Sequence, residues 1–462
     1  MEVTVALQAI PENGRLVVVG GDAAGMSAAS RARRLRSDID IVVLERGYDV
    51  SYSACSLPYY IQGVVEHRDD LIAVGADEFR DSRGIDARLG TPVVAVEPRG
   101  RRVVYATIED ETTHELAYDA LVLAMGASAV SLPVPGAELD GIFTLRTIPD
   151  ADEIKLRLKQ DHVLRAVVVG GGYIGLETAE ALAGLDLDVT VVEMAPRVMT
   201  TYDEELSEII RAELERNGVS VVTNAAVESF EGDSRGVTHV VAAGELLEAD
   251  IAIVGVGVRP NVELAGTAGL ELGESGAIRV DRHQRTSDDH IFAAGDCAEH
   301  YHVVTGAPAW IPLGQTANKQ GRIAGTNAVG GSERFGGTAG TNASKVFGLE
   351  VAGTGLTETV ARQRGYDCSS AMIESRSRSG AYPGAKPLFV KLVFETGSGR
   401  ILGGQLVGAE GVAKRVDSVA TAIFAGMTVQ ELAVVDMSYA PPFSPVWDPV
   451  LIAASQAAKK VG

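Results

Sequence analysis

The stretch Arg15-Leu-Val-Val-Val-Gly-Gly-Asp-Ala-Ala-Gly25 is a short apolar run followed by a glycine-rich turn and the beginning of an alanine-rich segment. The same pattern returns as Arg165-Ala-Val-Val-Val-Gly-Gly-Gly-Tyr-Ile-Gly175. Each continuous β-branched run predicts a buried parallel strand, and each segment after the glycines predicts a helix. A second apolar run follows in both copies and ends in an acid, Glu45 and Glu193. The sequence therefore contains two βαβ units.

The second unit has the full GxGxxG spacing, from Gly170 to Gly175. Glycines allow a tight turn and close approach of a pyrophosphate, and the helix N-terminus supplies N–H donors. A carboxylate at Glu193 suits a ribose 2′-hydroxyl and repels a 2′-phosphate, which favours NADH, although the nearby Arg197 keeps NADPH open. The residues predicted to bind NAD(P)H are Gly170, Gly172, Tyr173, Ile174, Gly175, Glu177, Glu193 and Gly257.

The first unit matches less well on its own, because Asp22 occupies the place of the middle glycine. A later segment, Thr286-x-x-x-x-Ile-Phe-Ala-Ala-Gly-Asp296, is similar to a second FAD fingerprint, in which a strand delivers an aspartate to the flavin nucleotide. Asp296 has an alternative role as the cap of a following helix. The residues predicted to bind FAD are Gly20, Gly21, Ala24, Gly25, Glu45, Ala124, Gly126, Gly295, Asp296 and Ala317.

The 462-residue chain has a formal net charge of −21, with 46% hydrophobic and 22% charged residues. This charge argues against nucleic acid and against anionic membrane surfaces, both of which attract basic faces. No apolar run reaches the roughly 20 residues of a membrane span, and Met1–Gly14 lacks the basic region of a signal peptide. Three cysteines without a CxxC motif argue against a disulfide framework or a zinc site. We expect a cytoplasmic protein without a metal.

The length predicts about three domains. Apolar runs that stop at Gly126 and Gly257 are candidate crossovers, and the glycine-rich segment 330–340 is a candidate linker. Helix–strand alternation is expected up to about residue 260, and an α+β pattern is expected after the linker. The predicted division is a discontinuous FAD-binding domain at 14–126 and 258–336, an NAD(P)H-binding domain at 127–257 and a C-terminal domain at 340–462.

Cys55 lies in Ser51-Tyr-Ser-Ala-Cys-Ser-Leu-Pro-Tyr-Tyr60, shortly after the predicted ribose acid. A free cysteine is most often a small buried hydrophobic residue. This one is expected to begin a helix near the flavin, where the helix N-terminus would lower the pKa of the thiol and make the thiolate a nucleophile. We therefore predict that Cys55 is the redox-active residue, and that packing accounts for Cys297 and Cys368.

Nearly the whole chain from about Arg15 resembles the FAD-dependent pyridine nucleotide–disulfide oxidoreductases. Within them it is similar to the single-cysteine branch, which contains coenzyme A disulfide reductases, persulfide reductases, NADH oxidases and NADH peroxidases. The resemblance implies an α/β fold with two Rossmann-like dinucleotide-binding domains, as in glutathione reductase, a C-terminal α+β dimerisation domain and a homodimer. The segments that carry it are Gly20–Gly25, Cys55–Tyr60, Gly170–Glu177, Gly295-Asp296, Ala317–Arg322 and Tyr439–Ser444.

Three absences separate the branches of this family. Members with a CxxxxC motif would have their second cysteine at position 60, where this chain has Tyr60. The C-terminal His–Glu base of those members has no counterpart, because no histidine follows His302. NADH oxidases and peroxidases carry a histidine in the first glycine loop, where this chain has Ala23. Oxygen or peroxide reduction by that route is disfavoured.

The resemblance is closest to coenzyme A disulfide reductases, in which two tyrosines of the partner subunit approach the cysteine. Tyr382 and Tyr439 match those segments and could protonate a leaving thiolate, or could be interface tyrosines only. The residues predicted to bind the substrate are Ser51, Arg31, Arg34 and Asn318, although the arginines could equally form a solvated helix face.

One departure keeps the electron acceptor open, because the asparagine expected before the cysteine is Ala54. The main prediction is electron transfer from NAD(P)H through FAD and Cys55 to a low-molecular-weight disulfide such as coenzyme A disulfide. An NAD(P)H oxidase, a persulfide, polysulfide or quinone reductase, and a redox-sensing flavoprotein without turnover are the alternatives.

Overall fold

A computed structural model describes residues 10–109, 111–160 and 162–462. Residues 1–9, on which part of the signal-peptide prediction falls, lie outside this range. The described chain is α/β, with two five-stranded parallel sheets and one five-stranded antiparallel sheet as its main layers. The predicted fold class is confirmed.

The first sheet forms around the first glycine turn, and its strand order is β18-β7-β1-β2-β3. All of its pairings are parallel, and its central strands are buried on both faces, because helices cover one face and an antiparallel sheet covers the other. A small antiparallel sheet, β4-β5-β6, flanks it. The elements up to residue 123 are β1 (Arg15–Val19), α1 (Ala23–Leu35), β2 (Asp40–Leu44), α2 (Leu57–Gln62), α3 (Ala76–Arg83), β3 (Asp86–Arg88), β4 (Val93–Glu97), β5 (Arg102–Ala106), β6 (Thr113–Ala117) and β7 (Ala120–Leu123), with 3₁₀ turns at Ala54–Ser56, Arg68–Leu71 and Pro98–Gly100.

The second sheet repeats this plan around the second glycine turn, in the order β12-β11-β10-β16-β9. It also has an antiparallel companion, β13-β14-β15. The prediction of continuous helix–strand alternation up to residue 260 was therefore wrong. The elements are β8 (Ala127–Ala129), β9 (Ile142–Phe143), α4 (Ile148–Leu158), β10 (Arg165–Val169), α5 (Tyr173–Ala183), β11 (Asp188–Val192), α6 (Glu204–Arg216), β12 (Ser220–Val222), β13 (Val227–Asp233), β14 (Gly236–Ala242), β15 (Glu245–Glu248), β16 (Ile251–Val254), β17 (Val258–Pro260) and α7 (Glu263–Thr267).

The chain then returns to the first sheet and ends in a third one. β18 pairs in parallel with β7, and the antiparallel pair β8–β17 joins the two crossover segments. The third sheet is β21-β22-β25-β24-β23, with α10 and α12 packed on it. The last elements are β18 (Ile291–Ala293), β19 (His300–Tyr301), β20 (Pro308–Ala309), α8 (Gly314–Ala328), β21 (Asn342–Val346), β22 (Leu349–Gly355), α9 (Glu358–Gln363), β23 (Cys368–Arg376), β24 (Pro387–Glu395), β25 (Ile401–Gly408), α10 (Val412–Phe424), α11 (Val429–Leu432) and α12 (Pro449–Ala458).

A buried ionic cluster connects the second and third sheets. Lys391 on β24 lies between Asp203 and Glu358, with N–O distances of 3.2 and 3.1 Å. Gln405 on β25 also donates to Asp203 at 2.7 Å. Because removing one partner of a buried ion pair leaves an uncompensated charge, this cluster fixes the third sheet against α6. Among the described residues, no helix is both long and apolar enough to cross a membrane.

Candidate active site

The first glycine turn joins β1 to α1. Gly20 has a φ of +102°, and a Cβ there would lie 2.2 Å from the carbonyl oxygen of Ala124. A Cβ on Gly25 would lie 1.9 Å from the carbonyl oxygen of Gly20, so close packing of strand and helix requires both glycines. Asp22 is the N-cap residue, but its side chain makes no capping hydrogen bond. The first N–H groups of α1 therefore remain available to an anion such as a pyrophosphate.

Asp296 reaches the same region from the end of β18. Gly295 precedes it with a φ of +80° and donates its N–H to Gln320 Oε1 at 3.1 Å. Gln320 Nε2 donates in turn to the carbonyl oxygen of Glu299 at 3.1 Å, which fixes the loop that carries Asp296. No helix begins directly after Asp296, so the structure does not give it the alternative role of helix cap.

Helices α1 and α8 pack with their backbones close together. A Cβ on Gly321 would lie 2.1 Å from the carbonyl oxygen of Ala24, and one on Gly325 would lie 2.2 Å from that of Ala28. Ala317 is buried on the same face of α8. The Ala317–Arg322 motif therefore brings α8 beside the glycine turn, and places Ala24 and Ala317 against Gly295.

Arg146 is a residue of this region that the sequence analysis missed. Its guanidinium pairs with Asp296 at 3.0 Å and donates to the carbonyl oxygen of Ala127 at 3.1 Å. Burial raises the pKa of Asp22 to about 6, and Arg146 opposes that rise. A cation beside two acids, an open helix N-terminus and a glycine cradle fit the pyrophosphate and ribityl part of FAD. Gly126, with a φ of +66°, lies next to Arg146.

The second glycine turn has the same geometry. Gly170 has a φ of +108°, and a Cβ there would lie 2.5 Å from the carbonyl oxygen of Gly255. Gly172 is the N-cap of α5 without a side-chain cap, and a Cβ on it would meet nothing within 4 Å. Space for a pyrophosphate therefore lies directly in front of the helix. Ile174 is exposed in the first turn of α5, and Gly257 follows β16 with a φ of +114°.

The two predicted ribose acids occupy equivalent positions. Each carboxylate accepts two backbone N–H groups at 2.7–2.8 Å, one of them from its own glycine turn, and each oxygen keeps a lone pair for a ribose hydroxyl. Arg197 Nη2 lies 3.5 Å from the carbonyl oxygen of Tyr202, which directs this cation to the backbone. The bonds are Gly21 and Gly47 to Glu45, and Gly171 and Ala195 to Glu193.

Cys55 lies in the 3₁₀ turn Ala54–Ser56, two residues before the first residue of α2. The residue is exposed, yet enough protein surrounds the thiol that desolvation raises its pKa. Glu177 adds to that rise, and Arg146 opposes it. The prediction of a lowered pKa for this thiol is therefore wrong for the chain alone, because desolvation and the charge of Glu177 outweigh any effect of the six-residue helix α2.

Glu177 faces the Cys55 thiol from α5, and burial raises the pKa of its carboxyl to about 7. We expect Glu177→Gln to lower the pKa of Cys55, because the substitution removes a negative charge that disfavours the thiolate. Iodoacetamide should then alkylate Cys55 about threefold faster at pH 8, where Glu177 is ionised in the parent protein. Glu177→Asp, which keeps the charge, should match the parent, and equal rates for Gln and Glu at this position would contradict the account.

The other cysteines lie in unrelated surroundings. Cys297 is fully buried, and its Sγ donates to the carbonyl oxygens of Ala294 and Leu123 at 3.4 and 3.5 Å. Cys368 is part of β23 in the third sheet. Tyr60, at the position of a second redox cysteine, donates its hydroxyl to Asp152 at 2.9 Å. No group of three or more potential metal ligands occurs within the described ranges.

A cavity of about 400 Å³ opens beside Asp22 and the segment 51–53 that precedes Cys55. Three of the four residues predicted to bind substrate line it, namely Ser51, Arg34 and Asn318. Ser51 has a φ of +50° and donates its N–H to the carbonyl oxygen of Gly21 at 2.9 Å, which ties the cavity wall to the first glycine turn. Two further cations that the sequence analysis missed, Arg83 and Arg322, also line the cavity.

Arg31, the fourth predicted substrate residue, lies elsewhere. Its guanidinium pairs with Glu333 at 2.8 Å and donates to Thr326 Oγ1 at 3.0 Å, and it does not line the cavity. Arg34, by contrast, is exposed and has no side-chain hydrogen bond or ion pair to any residue that the structure describes. The structure therefore does not bring Arg31 together with the other three predicted substrate residues, because Glu333, far along the chain, supplies its partner.

Tyr382 and Tyr439 lie on neighbouring loops of the third unit. The N–H of Ser379 donates to the carbonyl oxygen of Pro441 at 3.2 Å, which joins the two loops. Both tyrosines are more than two-fifths exposed, at 41% and 47%. The structure joins their two loops, and in the described chain no hydrogen bond links either tyrosine to Cys55, so a role at the thiol requires a second subunit.

Two family profiles match the chain. The profile described as pyridine nucleotide-disulphide oxidoreductase covers residues 14–321, and that of its dimerisation domain covers residues 341–449. A protein of Pyrococcus abyssi named NAD(P)H sulfur oxidoreductase (CoA-dependent) is 39% identical over 440 residues, which are 95% of this chain and 97% of the relative.

Other relatives carry related names. A coenzyme A disulfide reductase of Staphylococcus haemolyticus is 30% identical over 93% of this chain and 96% of its own length. Among solved structures, that of an NAD-dependent persulfide reductase from A. fulgidus superposes with a TM-score of 0.93 at 41% identity. That comparison covers 96% of this chain and 83% of the other.

Proposed function

The chain belongs to the pyridine nucleotide-disulphide oxidoreductase family, and from that premise we propose that it transfers electrons from NADH through FAD and Cys55 to a disulfide of coenzyme A. The observation that carries this proposal is one exposed thiol on which charges of both nucleotide regions act, two residues after a segment that lines a cavity with arginines. Anaerobic NADH consumption with and without coenzyme A disulfide tests it.

The cofactors follow from the geometry of the two turns. We assign FAD to the turn at Gly20–Gly25 with Glu45, Arg146 and Asp296, and NADH to the turn at 170–175 with Glu193. When bound, FAD supplies the electron pair that cleaves a Cys55 mixed disulfide. We keep the predicted domain division, in which the dinucleotide-binding domains end near residue 336 and the last unit forms a homodimer. The three unpaired cysteines support a reducing, cytoplasmic location.

Cys55 performs the exchange chemistry. Its thiolate attacks one sulfur of the disulfide, a mixed disulfide forms, and the second sulfur leaves as a thiolate that takes up a proton. In a homodimer, Tyr382 and Tyr439 of the second subunit are the proposed proton donors for that leaving group.

The cavity cations give the proposal a specific test. We expect Arg34→Ala to raise the KM for coenzyme A disulfide about tenfold with little change in kcat, because a charge-assisted bond to a phosphate is lost. Arg31→Ala is the matched control, since Glu333 already neutralises that side chain, and its KM should stay within about twofold. Cystine has no phosphate, so its KM should not change. Equal effects of the two substitutions would contradict the assignment of the cavity.

A second candidate acceptor is a persulfide or polysulfide. The observation that favours it is Ala54, which replaces the asparagine expected before the cysteine, together with the printed names of the Pyrococcus and A. fulgidus relatives. The same Cys55 thiolate would attack the inner, carbon-bound sulfur of coenzyme A persulfide, form the same mixed disulfide with coenzyme A, and release the outer sulfur as hydrosulfide in place of a thiol. Comparing the kcat/KM values for coenzyme A disulfide and coenzyme A persulfide distinguishes the two candidates.

A further inference from the structure

The hydroxyl of Tyr173 is held by a residue of the third sheet. It donates to Asn342 Oδ1 at 2.7 Å, across 169 positions of sequence. Tyr202 donates its own hydroxyl to the same oxygen at 2.8 Å, and Thr201 Oγ1 donates to the Tyr173 hydroxyl at 3.3 Å. The amide oxygen of Asn342 therefore uses both of its lone pairs on phenols.

Asn342 is fixed by contacts that do not involve Tyr173. Its Nδ2 donates to the carbonyl oxygen of Gly340 at 2.8 Å, and the residue pairs with Gly353 in the register of β21 and β22. Tyr202 is 1% exposed and lies against Gly353, where a Cβ would come within 3.2 Å of its hydroxyl. Tyr173 is only half-buried, at the first residue of α5. Of the two phenols, Tyr173 is the one that can move.

Tyr173 also lies on the path of the dinucleotide. It directly follows Gly172, in front of which the pyrophosphate space opens. Glu177 lies one helical turn later on the same face, and its charge acts on the Cys55 thiol. Because hydride must pass to the flavin, a dinucleotide bound at this turn directs its nicotinamide along the first turn of α5 toward the FAD site, and Tyr173 is the first residue of that helix.

We propose that Asn342 is a positioning residue that holds Tyr173 over the nicotinamide site while no dinucleotide is bound. The inference rests on the proposed function, because it assigns NADH to the second turn. Suppose that a ligand binds only when Tyr173 is displaced. Its apparent affinity is then reduced in proportion to the small fraction of protein in that displaced state. Asn342 on β21 of the third sheet thereby sets part of the affinity for the nicotinamide half.

The test compares two ligands and two neighbouring variants by calorimetry on the oxidised FAD-containing protein. We expect Asn342→Ala to bind NAD⁺ about three- to tenfold more tightly, since displacement of Tyr173 no longer breaks this hydrogen bond. Binding of ADP-ribose, which lacks the nicotinamide, should be unchanged. Thr341→Val is the matched control, because it removes a 2.8 Å bond to Thr354 that stays within the third sheet. It should match the parent with both ligands.

Tyr173→Phe removes the same bond from the other side and keeps the test valid if the first variant folds poorly. It should bind NAD⁺ more tightly by the same factor, and the double variant should bind NAD⁺ no more tightly than either single variant. Unchanged NAD⁺ affinity in both single variants, or an equal change for ADP-ribose, would overturn the inference. If the parent protein bound neither ligand, the proposed function itself would fail.

Discussion

Cys55→Ser is expected to reduce turnover with coenzyme A disulfide by about a thousandfold or more, because the substitution removes the nucleophile that forms the mixed disulfide. The variant should still purify yellow, since Cys55 makes no contact that holds the glycine turn or Asp296. It should also accept electrons from NADH, because the second turn and Glu193 are untouched. Stopped-flow absorbance at 450 nm and a thiol-release assay separate the two half-reactions.

Cys368→Ser is the control for this result. Cys368 belongs to β23 in the third sheet and lies in neither nucleotide turn, so its substitution should leave turnover unchanged. Full disulfide turnover in Cys55→Ser would contradict the proposed mechanism. Retained NADH oxidation in air by that variant would not, since a bound flavin can pass electrons to oxygen without the thiol.

Gly20→Ala is expected to abolish FAD binding. The new Cβ would lie 2.2 Å from a backbone oxygen at Ala124, and the φ of +102° is unfavourable for any side chain. Relieving the clash must separate β1 from the end of β7 or reshape the turn that holds the pyrophosphate. We expect a colourless protein that is less stable by about 3 kcal/mol or more, with no NADH oxidation. The ratio of 450 to 280 nm absorbance and thermal unfolding measure both effects.

Gly218→Ala separates the clash from the backbone conformation. Gly218 also has a positive φ, +83°, but a Cβ there meets nothing within 4 Å. This variant should lose only about 1 kcal/mol and keep its flavin. If Gly20→Ala retained full FAD while Gly218→Ala behaved as expected, the first turn would not be the flavin site.

The dinucleotide turns were predictable from the sequence because their requirements are local. The apolar run before the first glycine turn forms strand β1, Arg15–Val19. Helix α1 already begins at Ala23, before Gly25, whose weak helix propensity obscures the start of the helix in the sequence. The antiparallel strands at 93–117 and 227–248 were missed, since they are short and largely exposed.

The side-chain environment of the site was less predictable, because its partners are distant in sequence. Burial and the charge of Glu177 raise the pKa of Cys55, and neither cause can be read from the sequence of the segment 51–60. Arg31 pairs with Glu333, which is 302 positions away in the sequence. Arg31 therefore does not line the cavity that Arg34 lines. Arg146 carries no motif, and only the folded chain places it beside Asp296. Spacing within one segment gives no information about such pairs.

The most direct test of the central claim is anaerobic NADH consumption by the purified FAD-containing protein, with and without coenzyme A disulfide. The account predicts continuous oxidation that depends on the disulfide and releases two thiols for each NADH, as the exchange chemistry of Cys55 requires. Oxidation that stops after about one NADH per flavin, with disulfide still present, would show that electrons reach the flavin and do not pass to this acceptor. That result would contradict the assignment of the coenzyme A disulfide as substrate.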